Sequence, residues 1–63
     1  MTWAEEIRKA RKAKGLTLEQ AAEQIGVTWR TYCRWEAGDS VPNSRLVLEA
    51  LEREGWPVPE GQT

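Results

Sequence analysis

The chain has 63 residues, 40% of them hydrophobic and 30% charged, with a net charge of −1. That suffices for one small domain, which buries only ~60% of the surface its unfolded chain exposes, and leaves no room for a deep catalytic cleft with supporting shells. One cysteine, Cys33, cannot form an internal disulfide, and the lack of histidine removes the commonest general base and zinc ligand. No apolar run approaches the ~18 residues of a membrane span, and the N-terminus lacks a signal-peptide core, so a cytoplasmic protein is expected. Charge is unevenly spread. Residues 1–14 carry five basic and two acidic groups, whereas residues 38–63 carry two and five. The chain is therefore dipolar and lacks the overall basic excess usual in dedicated nucleic-acid binders.

Four helical patterns follow one another, and no segment alternates with period two, so no sheet is expected. The first runs from Trp3 to Lys14, with Thr2 and Glu5 as a capping box and Gly15 as its stop. Trp3, Ile7 and Ala10 fall within about 60° of one another and mark its buried face. Arg11 lies at the edge of that face, and Arg8, Lys9 and Lys12 point away. The second runs from Leu18 to Ile25, boxed by Thr17 and Gln20 and stopped by Gly26. Leu18, Ala21, Ala22 and Ile25 form a stripe about 100° wide.

The third pattern runs from Trp29 to about Glu36, with Thr28 as cap and Gly38 as stop. Thr31, Tyr32 and Trp35 share one arc, and Trp29, Arg30, Cys33 and Arg34 share the opposite one. Residues 39–43 form a loop. The fourth pattern runs from Ser44 to Glu54, capped by Asn43 or Ser44 and stopped by Gly55. Its Leu46, Val47, Leu48, Ala50 and Leu51 cover an arc of about 200°, wider than the ~100° a surface helix needs. A helical domain over residues 1–55 and an extended, frayed tail over 56–63 are expected. Leu18, Ala22, Ile25, Val27, Tyr32 and Trp35 should share one core.

Ile25-Gly26-Val27-Thr28 joins two short helices, with glycine where a sharp turn needs a positive φ and an apolar residue pinning the corner. Together with Ile7, Arg11, Gly15-Leu16-Thr17, Ala22, Trp35-Glu36 and Gly38, this string resembles the lambda repressor-like (Cro/repressor, Xre-type) helix-turn-helix family. The resemblance implies an all-α bundle of four or five helices, a prokaryotic or phage-encoded, nucleoid-associated transcriptional regulator or repressor, and double-stranded DNA as partner. It also implies a homodimer whose third helices enter the major groove one DNA turn apart. Carried onto this chain, the base-contacting face is Trp29, Arg30, Cys33 and Arg34. Candidates for phosphate contact are Thr17, Thr28, Ser40, Asn43, Ser44 and Arg45, and Arg11 and Glu36 match a structural ion pair between the first and third helices.

The individual residues keep alternatives open. An arginine on the outer arc can pair bidentately with guanine or simply be solvated. Trp29 can touch DNA, anchor a protein partner or fold back as a hydrophobic staple. Cys33 reads as a bland thiol, since no histidine can activate it. Trp56 can fold back or serve an interface. Leu46, Val47, Leu48 and Trp56 are assigned to a dimer or partner surface, because the wide arc offers more apolar surface than three short helices can cover. Leu18 and Trp29 stand where the family often carries polar residues. They motivate an alternative function, a protein-interaction module that binds polymerase, a toxin or another regulator through Trp29 and the C-terminal apolar surface. Glu49, Glu52 and Glu54 read as a solvated face, and no catalytic, metal or cofactor site is expected.

Overall fold

Each of the first three helices starts at a threonine and stops at a glycine, because the first turn has N–H groups, and the last turn carbonyls, without partners inside the helix. The computed structural model describes residues 2–59 and places α1 at Trp3–Lys14, α2 at Leu18–Ile25, α3 at Trp29–Ala37 and α4 at Arg45–Arg53. Among the described residues there is no strand, and the fold is all-α. Both expected capping boxes form. The Thr2 hydroxyl accepts from the Glu5 N–H at 3.3 Å, and the Thr17 hydroxyl accepts from the Gln20 N–H at 3.1 Å, with each N3 side chain reaching back to the cap. Gly26 has φ 96°, a conformation L side chains rarely adopt, and it turns the chain sharply enough for the Val27 N–H to reach the Ala22 carbonyl at 3.0 Å. Ser44 is the N-cap of α4, but its hydroxyl makes no capping bond, and the helix is one residue shorter at each end than its apolar pattern.

α3 packs against both α1 and α2, and α4 packs on α2. Ile7, Tyr32 and Leu51 are fully buried, joined by Ala21, Ala22, Ile25, Trp35, Ala50 and Trp56. Leu18 and Val27, expected at the centre, are half-buried against this core. Thr31, expected on the inner arc of α3, is exposed. It sits at the edge of that arc, and the buried side of α3 is carried by Tyr32, Trp35 and Glu36.

The expectation for Trp56 is overturned. Trp56 is only 4% exposed and belongs to the core, not to a dimer or partner surface. Gly55, with φ 79°, reverses the chain after α4 and lets Trp56 turn inward. A run of tilted and edge-on aromatic contacts then crosses the domain. Trp3 meets Trp35 at 5.7 Å between ring centres, Trp35 meets Tyr32 at 5.9 Å, and Tyr32 meets Trp56 at 6.0 Å. The Trp56 indole N–H donates to Gln24 Oε1 at 3.0 Å, and Lys14 Nζ lies 5.3 Å from the ring centre while donating to the Glu54 carbonyl. The Trp3 indole N–H donates to the Pro57 carbonyl at 2.9 Å. Val58 packs on the core and Pro59 is buried. The described part of the expected tail, residues 56–59, is thus packed with the helices and not frayed, because two side-chain hydrogen bonds, the Lys14 ammonium over the Trp56 ring and an aromatic stack hold it there. Residues 60–63 of that tail lie outside the described residues.

Covering α4 from this side changes its exposed surface. Val47 and Leu48 are half-buried and pack against the core, whereas Leu46 is 77% exposed. Leu48, expected outside the core, is therefore partly inside it. Leu46 lies near one edge of the 200° arc, in the first turn of α4, where no other element covers it.

Candidate nucleic-acid interface

The position of α3 is fixed at its C-terminal end by one buried carboxylate. Glu36 is 8% exposed and accepts from Arg11 Nε at 2.8 Å and Arg11 Nη2 at 3.3 Å, a two-pronged pairing that joins α3 to α1. The remaining Arg11 nitrogen, Nη1, donates to the Leu16 carbonyl at 3.0 Å and ties in the α1–α2 turn. Arg8 was expected to point away. Instead its Nε lies 3.6 Å from Glu36 Oε1 and its Nη2 donates to the Glu36 carbonyl at 3.2 Å, since a long arginine stem reaches across from a half-exposed position. Burial works against the charge on Glu36, but the Arg11 and Tyr32 groups beside it outweigh burial and hold its carboxyl below the usual range. Burial pushes the Tyr32 phenol up, with the neighbouring carboxylate adding to the effect. The centre is thus a charged pair with its polar atoms satisfied, and among the described residues no buried side-chain nitrogen or oxygen lacks a partner.

With its inner side held by Tyr32, Trp35 and Glu36, α3 turns the other side outward. Trp29 is 53% exposed and takes no part in the core, so it does not fold back as a staple. Arg30 and Arg34 are exposed, and Cys33 is half-buried between them and Trp29. Among the described residues neither Arg30 nor Arg34 is in an ion pair, in contrast to Arg8, Arg11 and Arg53. Their charges are available to an external anion.

The other polar candidates fall into separate groups. Ser40, Asn43 and Ser44 come together around a shallow cleft of about 210 Å³ between α3 and the following loop, floored by Trp35, Pro42 and Val47. Thr31 lines the same cleft, a polar rim residue that its assignment to the inner arc concealed. Its hydroxyl accepts from the Thr28 hydroxyl at 3.0 Å, so the Thr28 hydroxyl hydrogen is committed inside the protein. At the head of α2, the Thr17 hydroxyl accepts the capping bond and keeps its hydrogen to donate outward. Arg45 is exposed at the first position of α4. The helix heads add unpaired N–H groups and partial positive charge at α2 and α3. Among the described residues no group of His, Cys, Asp or Glu side chains could hold a metal ion, and no helix is long and apolar enough to cross a membrane.

Two short helices joined by a glycine corner, the second held so that one face stays outside the core, define a helix-turn-helix protein. A helix-turn-helix family model matches residues 7–53, more than half of the chain, and the chain belongs to the lambda repressor/Xre-type helix-turn-helix family. The family is one of DNA-binding regulators and is not typically enzymatic. No curated protein and no solved structure matches the chain.

Proposed function

We propose that this protein is a sequence-specific transcriptional regulator, a repressor in the manner of its family, that reads the DNA major groove with α3. The observation that carries the reading is the outer face of α3, on the side away from Tyr32 and Trp35, where Arg30 and Arg34 are exposed and, among the described residues, in no ion pair. Trp29 and Cys33 complete the face presented to base edges. Thr17, Thr28, Ser40, Asn43, Ser44 and Arg45 supply backbone contacts around it, Thr28 through its helix N-terminus because its hydroxyl is already engaged. The protein works as a homodimer that joins through the exposed Leu46 and the half-buried Val47 and Leu48, which sets two α3 helices one DNA turn apart. It acts in the cytoplasm on nucleoid or phage DNA.

The test is a gel shift on random-sequence duplex at several salt concentrations, followed by selection of a preferred site. Binding at low salt that weakens steeply as salt rises is expected. Absence of binding at any salt would refute the function. A second reading, docking of a protein through Trp29, is favoured by the 53% exposure of that side chain. Trp29→Ala separates the two. It changes DNA affinity if α3 reads DNA, and leaves DNA affinity intact if Trp29 serves a protein partner.

A further inference from the structure

The outward face of α3 is not chemically uniform. Trp29 and Cys33 are four residues apart and so neighbours on the helix surface, and the same holds for Arg30 and Arg34. The face therefore carries two parallel stripes, one apolar and one cationic. The apolar stripe lies outside the buried core cluster: Trp29 is 53% exposed and Cys33 half-buried. The cationic stripe has no carboxylate partner among the described residues. None of the four residues is a carboxamide, which would pair with adenine N6 and N7, or a carboxylate, which would accept from cytosine N4. The features of the major groove that this face does fit are the guanine O6 and N7 acceptors and the C5-methyl group of thymine.

Resting on the DNA-reading function above, we infer that α3 recognises duplex in which guanine and thymine lie side by side, Arg34 taking guanine O6 and N7 while Trp29, extended by Cys33, packs on thymine C5-methyl groups. The tryptophan at the head of the helix is then a specificity-determining residue. Its apolar surface, left in water in the free protein, is covered by a methyl group in the complex.

The experiment starts from a duplex selected from a random pool and replaces its thymines one at a time by deoxyuridine, which removes only the C5-methyl. Affinity is read by fluorescence anisotropy. Removal of one contacted methyl should weaken binding about fourfold, the equivalent of ~0.8 kcal/mol of apolar burial. Replacing the sensitive T·A pair by C·G should weaken it further, and 5-methylcytosine in place of that cytosine should recover about the same factor. Trp29→Ala should lose most of the preference for thymine over deoxyuridine, Cys33 alone offering a small apolar surface, and Trp29→Phe should keep the preference. Thermal melting of Trp29→Ala at the wild-type temperature confirms that this exposed substitution leaves the fold intact. Equal binding of thymine and deoxyuridine duplexes by the wild type at every position overturns the inference while leaving DNA reading in place. A methyl preference undiminished in Trp29→Ala overturns the role of Trp29. Failure to select any duplex removes the DNA-reading function itself.

Discussion

Replacing Trp56 by alanine tests whether the segment after α4 is part of the domain. Trp56 is 4% exposed, packs edge-on against Tyr32 at 6.0 Å, donates to Gln24 at 3.0 Å and carries Lys14 over its ring. Truncating a buried tryptophan costs ~3–5 kcal/mol, from lost transfer energy and the cavity left behind. A chain of 63 residues has roughly 3–9 kcal/mol in total at ~0.05–0.15 kcal/mol per residue. The substitution should therefore remove a third of the stability at the least, and all of it if the domain lies at the low end of that range. Each kcal/mol moves the melting point of so small a domain by ~4–8 °C, so a fall of at least ~12 °C is expected by circular dichroism. Trp56→Phe keeps an aromatic ring beside Tyr32 and loses the bond to Gln24, so it should fall between the two. Gln24→Ala should cost only ~1 kcal/mol, because Gln24 is exposed and water can take the place of its carbonyl. A chain ended after Gly55 should behave like Trp56→Ala or worse, since it also removes the Pro57 carbonyl that Trp3 donates to. If Trp56→Ala melts within a few degrees of the wild type, the aromatic stack is not what holds the domain together.

The Arg11–Glu36 pair should show clear coupling in a double-mutant cycle. Glu36→Ala alone should cost ~1–3 kcal/mol by leaving a partly buried guanidinium without its carboxylate, and zero coupling would remove the claim. The Glu36 carboxyl is depressed in the folded state from an ordinary value of 4.5, so its contribution is complete above that value and is lost as pH falls through the lower folded one. Melting temperatures should drop below about pH 4.5 in the wild type and drop less in Glu36→Gln; identical acid profiles would count against this assignment. On DNA, Arg34→Ala should cost ~1–3 kcal/mol on the selected site and relax preference at one base pair. Arg30→Ala should likewise relax preference at one base pair if Arg30 reads a base; if Arg30 instead meets phosphate, it should weaken all duplexes alike and make the salt slope shallower by about one unit. Leu46→Glu should turn a dimer into a monomer in sedimentation at high micromolar concentration. A wild type that is monomeric under the same conditions would leave Leu46 without a partner.

The local grammar of this chain is strong. Thr2, Thr17 and Thr28 each bond to a backbone N–H three residues on, and Gly15, Gly26 and Gly38 each take a left-handed backbone, so three helices begin where their patterns begin. Those interactions span three or four residues, and an unfolded chain already carries them as preferences. The same is true of the face of α3. Trp29, Arg30, Cys33 and Arg34 lie opposite Tyr32 and Trp35 by helical geometry alone, and the burial of the latter leaves the former outside. The Arg11–Glu36 pair was legible because Arg11 lies at the edge of the apolar face of α1 and Glu36 near the end of α3, and because the resemblance joined these two positions 25 residues apart.

What periodicity could not convey is what happens between distant segments. Trp56 follows a helix stop and precedes a proline, so no repeat marks it as core. Its burial depends on a space that exists only once α1, α2 and α3 have packed, and on partners 32 and 40 residues away along the chain, Gln24 for Trp56 and Lys14 for Glu54. Arg8 looked like part of a solvated face because its Cα points outward, yet its side chain is long enough to reach Glu36 once α3 lies alongside. Leu46 and Leu48 flank the same apolar arc, and only the packing of α4 decides that the first stays in solvent while the second is half covered. Hydrogen bonds and periodicity within one turn are encoded residue by residue. Which apolar surface is finally covered is a property of the assembled bundle, because burial free energy belongs to the surfaces that meet and not to either segment alone.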